Sequence, residues 1–225
     1  MKKFFKWVGI IILVAVALPI AWLLIQDYLN SYSWHQKLTI VVETPSGLKT
    51  GSSVTSMRVG LTSFIPGQPG GRGTSRLRGE ATIVEVAPGR YLFVLLNQQD
   101  NLAQRVFDDH TGQRSKTYKE TFSRLSSLRE TRTVPTGLIP LLVTFTNIND
   151  PTNVKRVYPD DLAASFGTGY ELKTITLEIT DKPITKGEVE KVLGWWNNLS
   201  TFIGGNIKRK YSDPFYGLGK SNFRR

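Results

Sequence analysis

The chain offers few side chains that could perform acid–base or nucleophilic chemistry. It has no cysteine, which excludes a disulfide, a thiolate nucleophile and a thiolate metal site. One of its two histidines, His110, stands beside Asp108 and Asp109. Adjacent side chains diverge by about 100° on a helix and face opposite sides of a strand, so this trio does not converge on one atom. We therefore predict no catalytic residue, no metal site and no cofactor.

Carboxylates from distant positions could still assemble a catalytic site. The sequence contains no G-x-S-x-G or H-E-x-x-H motif. A pair of carboxylates could nevertheless act as acid and base, as in glycosidases, and the candidates are Glu80, Glu85, Glu171 and Glu178. An enzyme is thus the alternative to a non-catalytic protein, and whether these carboxylates line one cleft decides between them.

The C-terminal tail, residues 205–225, supplies candidate contact residues of another kind. Its last twenty residues interleave six cations with four aromatic rings. Cations steer a surface toward anions, and rings supply contact area. We predict contact with a partner or an anionic surface by a set that also includes one tryptophan from a predicted helix: Lys208, Arg209, Lys210, Tyr211, Phe215, Tyr216, Phe223, Arg224, Arg225 and Trp195.

The conformation of this tail is open between two interpretations. It lacks an apolar period of 2 or 3.6, so we predict no regular element, and a frayed chain end is the simplest interpretation. Disordered tails are, however, usually poor in aromatic residues. The alternative is that the tail docks, either on its own domain or on an anionic partner.

The N-terminal segment predicts a membrane anchor. Residues 7–25 form a run of nineteen uncharged residues, which as a helix spans about 28 Å, close to the hydrocarbon thickness of a bilayer. Ala15-Val16-Ala17 resembles a signal-peptide cleavage site, but the apolar run continues beyond it to Ile25. We therefore expect the segment to be retained as a signal anchor.

Basic residues predict the orientation of this anchor. Lys2, Lys3 and Lys6 precede the run, whereas Lys37 is the only cation in the twenty residues after it. This bias keeps the N-terminus cytoplasmic and places the rest of the chain outside. The residues assigned to the anchor and its interfaces are Trp7, Pro19, Trp22 and Trp34. His35 is likewise placed at the membrane exit.

The exported part predicts an α+β fold with a mainly antiparallel sheet and two or three packed helices. Strands are predicted at 37–44 and 53–61, and "EATIVEVAPGRYLFVLLN" predicts a hairpin around Pro88-Gly89. "IPLLVTFT" and "YELKTITLEIT" predict two further strands. The Gly/Pro-rich "TSFIPGQPGGRGTSRLRG" is typical of a surface loop, since it lacks the residues of a phosphate-binding loop.

Three segments predict helices. The first is "SKTYKETFSRLSSLRE", whose apolar stripe contains Phe122 and Leu125. A short helix should begin around Tyr158-Pro159-Asp160-Asp161 and end at Gly167. In "TKGEVEKVLGWWNNL", Thr185 and Glu188 have capping-box spacing, and Gly204-Gly205 ends the element.

The resulting division has five parts: a cytoplasmic N-terminus (1–6), the anchor (7–25), a juxtamembrane segment (26–36), the exported domain (37–204) and the tail (205–225).

One stretch resembles a known kind of protein. "FTNINDPTNVKRVYPDDLAASFGTGYELKTITLEITDKPIT" is similar to part of an uncharacterised family of membrane-anchored proteins of Gram-negative bacteria. The likeness covers about a fifth of the chain and implies no activity. It implies a bacterial source, and hence the inner membrane with the domain in the periplasm.

Charge and topology together define the expected partners. The net charge of +11 is typical of proteins that bind nucleic acid or anionic surfaces, or it serves solubility alone. Outside the cytoplasmic membrane, the available anions are lipid headgroups and envelope polymers, which argues against nucleic acid. We therefore predict a periplasmic binding or scaffolding domain of an envelope assembly. The alternative is an anchored hydrolase of an envelope polymer.

Overall fold

The computed structural model describes residues 7, 12–22, 25, 30–62, 71–109, 117–199, 203, 215 and 217–225. These residues form an α+β fold with mainly antiparallel sheets and a few helices, as predicted. Residues 12–22 are helical (α1). Among the described residues, no helix combines the length and the apolar character needed to cross a membrane.

The larger sheet is built around a long hairpin. Its strands are β1 (Ser31–Thr44), β2 (Gly47–Thr62), β3 (Gly71–Arg78), β6 (Thr131–Thr133) and β9 (Glu171–Thr180). They are ordered β3-β2-β1-β9-β6, and all neighbours are antiparallel. Side chains of β1 alternate between buried and partly exposed, which leaves one face of the sheet toward solvent.

The smaller sheet contains β4 (Thr82–Ala87), β5 (Arg90–Val94), β7 (Leu142–Phe145) and β8 (Val154–Val157), in the order β4-β5-β7-β8. Its first two strands confirm the predicted hairpin, and Gly89 adopts a φ of +68° in the turn, as its position after Pro88 requires. Residues 92–96 are all fully buried, so this strand is covered on both faces as its apolar run predicts.

Short helices connect and cover the sheets. They are α2 (Leu102–Gln104), followed by a π-helical turn (Arg105–Asp109), then α3 (Tyr118–Ser127), α4 (Ala163–Phe166), α5 (Glu188–Val192) and α6 (Lys220–Phe223). Two 3₁₀ turns cover Thr136–Leu138 and Trp196–Asn198. The first predicted helix is confirmed as α3, which buries Phe122 and Leu125, and Thr117 caps it by accepting a hydrogen bond from the Glu120 backbone N–H (3.2 Å).

Two apolar cores lie on opposite faces of the smaller sheet. The first joins that sheet to the inner face of the larger sheet and to α3, with Ile40, Val84 and Phe122 among its members. The second joins the other face to α5, the following 3₁₀ turn and α6, with Phe93 and Phe223 among its members. The smaller sheet is therefore the central layer, because both of its faces are buried.

The domain extends beyond both predicted boundaries. Strand β1 begins at Ser31, so residues 31–36 belong to the sheet rather than to a juxtamembrane segment. Trp34 is only 5% exposed and stacks on Phe122 with ring centroids 6.0 Å apart. Its Nε1 donates to Oε1 of the buried Gln36 (3.1 Å). The predicted interfacial role of Trp34 is therefore corrected: alternation along β1 turns this side chain inward.

Several local predictions are also corrected. The predicted loop contains the edge strand β3. Its alternation is weak, since among residues 73–78 Leu77 is the only buried side chain, and it lies between Arg76 and Arg78. The capping box is wrong, since Thr185 Oγ1 accepts from the Val54 N–H (2.9 Å) and α5 is much shorter than predicted. Strands β6 and β8 and helix α6 were not predicted.

Helix α4 differs from the short helix predicted at this place only in where it begins. Helix α4 begins at Ala163, later than predicted, and ends at Gly167, as predicted. Asp161 accepts from the Ala164 N–H (2.9 Å), which confirms it as a helix-start residue.

Candidate functional site

The last residues of the tail pack into the domain, on one of the two surfaces predicted for them. Phe223 is fully buried in the second core. The carbonyl of Phe223 accepts from Ala81 N–H (2.7 Å), and Gly79 and Arg225 exchange two backbone hydrogen bonds (2.9 and 3.0 Å). The prediction of a partner contact through Phe223 is therefore corrected, because no part of its ring reaches the surface.

The other members of the predicted contact set are divided. Phe215 is partly buried against the second core. Arg224 forms an ion pair with Glu190, and its guanidinium lies 5.9 Å from the centroid of the Trp196 ring. Arg225 is exposed, and its Nε donates to the Ser221 carbonyl (2.9 Å). Five members lie outside the described residues: Lys208, Arg209, Lys210, Tyr211 and Tyr216.

Trp195 has partners within the chain. Its Nε1 donates to the Ile148 carbonyl (2.8 Å), and its ring meets Phe145 edge to face at 5.6 Å. The side chain is partly buried. These contacts account for its apolar area and its polar atom.

The side chain of Glu80 links two segments that are far apart in the chain. Its side chain is 2% exposed, and its carboxylate accepts from the backbone N–H groups of Gly187 (2.6 Å), Glu188 (2.8 Å) and Val189 (3.2 Å). These are the free donors at the start of α5, so a glutamate from the segment after β3 caps a helix more than one hundred residues away.

A cleft opens beside this cap. Its volume is about 520 Å³, and it lies between the end of β3, the segment before α5 and the C-terminal residues. Four exposed cations line it, namely Arg78, Lys186, Arg224 and Arg225. Its two carboxylates are engaged, Glu80 as the helix cap and Glu190 with Arg224. The cleft can offer N–H donors and positive charge to an anionic group.

A second cleft, of about 470 Å³, lies between β6 and the end of β9. Ion pairs line it: Arg129 with Asp181, and Lys182 with Glu178. Arg132 donates two hydrogen bonds to Glu130, and this contact lowers the pKa of that carboxyl below its ordinary value. Because its charges are paired within the chain, this cleft presents little unbalanced charge to a ligand.

The four glutamates named as candidate acids and bases have separate local partners. Glu80 caps α5, and Glu85 accepts from the Gly89 N–H (2.9 Å) in the β4–β5 turn. Glu171 pairs with Lys173 at the start of β9, and Glu178 pairs with Lys182 near its end. Among the described residues, no group of three or more His, Asp or Glu side chains is placed to hold a metal ion.

The outer face of the larger sheet carries a concentration of arginines, which we call the basic face and define as Arg58, Arg76 and Arg78. All three are exposed. Arg58 lies opposite Ser33 on one side and Arg76 on the other, and Ser56 lies opposite His35 and Arg78. His35 itself donates its Nδ1–H to the Lys182 carbonyl (2.7 Å), so it is a sheet residue. Through Arg78 the basic face is continuous with the first cleft.

Sequence reasoning missed both the cap and the basic face. The signal for the basic face was R-x-R at 76–78 with Arg58, but it required β3 to be recognised as a strand and its register to be known. Comparisons of the chain with protein-family models, with curated proteins and with solved structures gave no match, so the basic face and its adjoining cleft are interpreted from their own geometry.

Proposed function

We propose that the protein is a single-span, membrane-anchored domain that faces outward, binds or scaffolds other envelope components, and has no catalytic role. The observation that carries the proposal is the distribution of exposed apolar side chains. Nine of the twelve large hydrophobic residues that are exposed in the described part of the chain lie within residues 7–25, and the others are Leu48, Tyr118 and Tyr158.

A surface of this kind requires an apolar environment. Leu13 and Leu18 are 69% and 64% exposed, and the helical residues 12–22 contain no charge. Contiguous exposed apolar surface marks a membrane or protein contact. The full run from 7 to 25 has the length that a bilayer needs, and the lysines before it favour a cytoplasmic N-terminus. Lipid is therefore the environment that fits both the length and the flanking charge.

Binding rather than catalysis is supported by the way in which polar groups are used. The carboxylates in the two clefts have ion-pair or helix-cap partners. A hydrolase acting through two carboxylates needs one that can give a proton and one that can accept it near the same bond. Exposed cations that have no carboxylate at ion-pair distance among the described residues lie on the basic face and at the first cleft. Such a surface suits recognition of anionic groups.

Two measurements test the anchor and its orientation. Membranes washed with alkali should retain the protein. A reporter that works only outside the cytoplasm should be active when it is fused after Arg225. Activity of a reporter that works only in the cytoplasm would overturn the orientation and with it the envelope role. Intact-mass measurement should show no chain that begins at Leu18, the product of cleavage after Ala17.

A charge substitution tests whether the apolar run itself holds the protein in the membrane. Val16 lies at the centre of the run, where an arginine disfavours insertion by about 2.5 to 3.5 kcal/mol. Val16→Arg should therefore release a large part of the protein from washed membranes, whereas the control Val16→Leu should not. Equal retention of both variants would show that another part of the chain holds the protein there.

A further inference from the structure

The basic face contains a pairing of like charges that folding alone does not favour. Arg58 in β2 lies directly opposite Arg76 in β3. Like charges in directly opposed positions destabilise a sheet. Arginines on an edge strand such as β3 can serve to block edge-to-edge aggregation. That explanation does not cover Arg58, because β2 is flanked by strands on both sides.

These charges are not balanced by nearby acids. Within the described part of the chain, the side chains of Arg58, Arg76 and Arg78 have no carboxylate at ion-pair distance. On the outer face, Ser33 lies opposite Arg58, and Ser56 lies between His35 and Arg78. The guanidinium groups therefore present their donors to solvent, in the form that binds phosphate oxygens in pairs.

The basic face also lies at the end of the sheet where the chain arrives from α1. Ser31, the first residue of β1, follows Ile25 by six residues, which span at most about 20 Å. Ser33, which lies opposite Arg58, is about 7 Å further along the strand. If α1 is in a bilayer, this short connection holds Arg58 and Arg76 within reach of its headgroups.

We propose that the basic face docks on anionic phospholipid headgroups of the bilayer that holds α1. The inference rests on the proposed membrane anchor and adds a second, electrostatic contact to it. Docking neutralises the Arg58–Arg76 repulsion and orients the larger sheet against the membrane. It also leaves the second core and the β8 edge of the domain directed away from lipid.

The absence of cysteine makes a direct test practical, because one introduced cysteine gives one labelled position. Thr74 is exposed on β3 next to the basic face, and Lys155 is exposed on β8, the edge strand of the other sheet. Full-length Thr74→Cys and Lys155→Cys proteins carry a fluorophore and are reconstituted in vesicles that contain a headgroup-labelled quenching lipid. The vesicles consist of phosphatidylcholine alone or with phosphatidylglycerol.

The label at position 74 should be quenched more in the anionic vesicles, and high salt should remove the difference. The ratio of docked to undocked domain should rise roughly fivefold for each arginine near the anionic surface. The label at position 155 should not respond to lipid composition. Arg58→Gln, Arg76→Gln and Arg78→Gln together should abolish the response at position 74, whereas Lys155→Gln, Arg156→Gln and Lys173→Gln, which remove the same charge elsewhere, should preserve it.

Three results would overturn the inference in distinguishable ways. If the protein stays in alkali-washed vesicles but quenching at position 74 is the same in both lipids, the docking is refuted while the anchor stands. If the protein is lost from washed vesicles of either composition, the anchor and the docking fail together. A response at position 74 that survives the three arginine substitutions would also refute the role of the basic face.

Discussion

The helix cap made by Glu80 leads to the most specific prediction about stability. Substituting Glu80→Ala removes the acceptor of three backbone N–H groups, from Gly187, Glu188 and Val189. The Val189 backbone lies in a buried part of the second core, whereas Glu188 is exposed. Water can therefore replace the carboxylate at some of these donors but not at the innermost one.

The magnitude follows from these contacts. A hydrogen bond to a charged group contributes about 1.5 to 3 kcal/mol, and a buried donor left without a partner costs about 1 to 3 kcal/mol. Part of this loss is offset, because the substitution also removes a desolvated carboxylate. We expect a net loss of about 2 to 3 kcal/mol in the free energy of unfolding. For a domain of this size, that lowers the melting temperature by roughly 4 to 12 °C.

Thermal unfolding of the purified full-length protein, followed by tryptophan fluorescence, measures this shift. Glu85→Ala is the matched control, because Glu85 accepts one N–H bond, from Gly89, in an exposed turn. Because water can replace this acceptor in an exposed turn, Glu85→Ala should lower the free energy of unfolding by less than about 1 kcal/mol. If Glu80→Ala and Glu85→Ala lower the melting temperature equally, the three-donor cap does not hold α5.

Three further perturbations test other parts of the structure. A Cβ at Gly51 would stand 2.1 Å from a carbonyl oxygen of β4, so Gly51→Ala should lower the free energy of unfolding by about 3 kcal/mol, measured with denaturant. The control Gly137→Ala should change it little, because the space around Gly137 is open. Phe223→Ala should cost about 3 to 5 kcal/mol in the same assay, since the ring is fully buried; a loss below 1 kcal/mol would contradict the docked tail. Arg132→Met should raise the pKa of Glu130, measured by NMR titration. Because the pKa of Glu130 is lowered in the folded state, its ion pair with Arg132 stabilises the fold at pH values above the ordinary carboxyl pKa and loses this effect as pH falls. An unchanged titration of Glu130 in the variant would refute the pairing.

The elements that could be predicted from the sequence are those in which the buried residues recur at a regular spacing over a short stretch of the chain. The β4–β5 hairpin combines an apolar run with Pro88-Gly89, and α3 combines an apolar stripe with a threonine cap. In both, the residues that fix the conformation are neighbours in the chain. Propensity and packing then agree, and the observed elements match the predicted ones.

The elements that could not be predicted depend on distant partners. Thr185 and Glu188 have the spacing of a capping box, but Thr185 is drawn into a hydrogen bond with β2, and Glu80 takes over the cap. Strand β3 shows one inward residue between two arginines, which is too short a pattern to indicate a strand without its partner β2. The basic face depends on that pairing, so its existence could not be predicted either.

The docked C-terminus changes how a partner role of the tail has to be tested. Gly79, whose backbone pairs with that of Arg225, stands in the chain between Arg78, which belongs to the basic face, and Glu80, which caps α5. Deleting residues 206–225 would therefore remove Phe223 from the second core and disturb both neighbours, so lost binding could reflect altered folding. Charge substitutions at Lys208, Arg209 and Lys210 leave those packed residues in place. A salt-sensitive loss of membrane or partner association in these variants, with an unchanged melting temperature, would assign the contact to the tail; a loss seen only in the deletion would assign it to the fold that the tail completes.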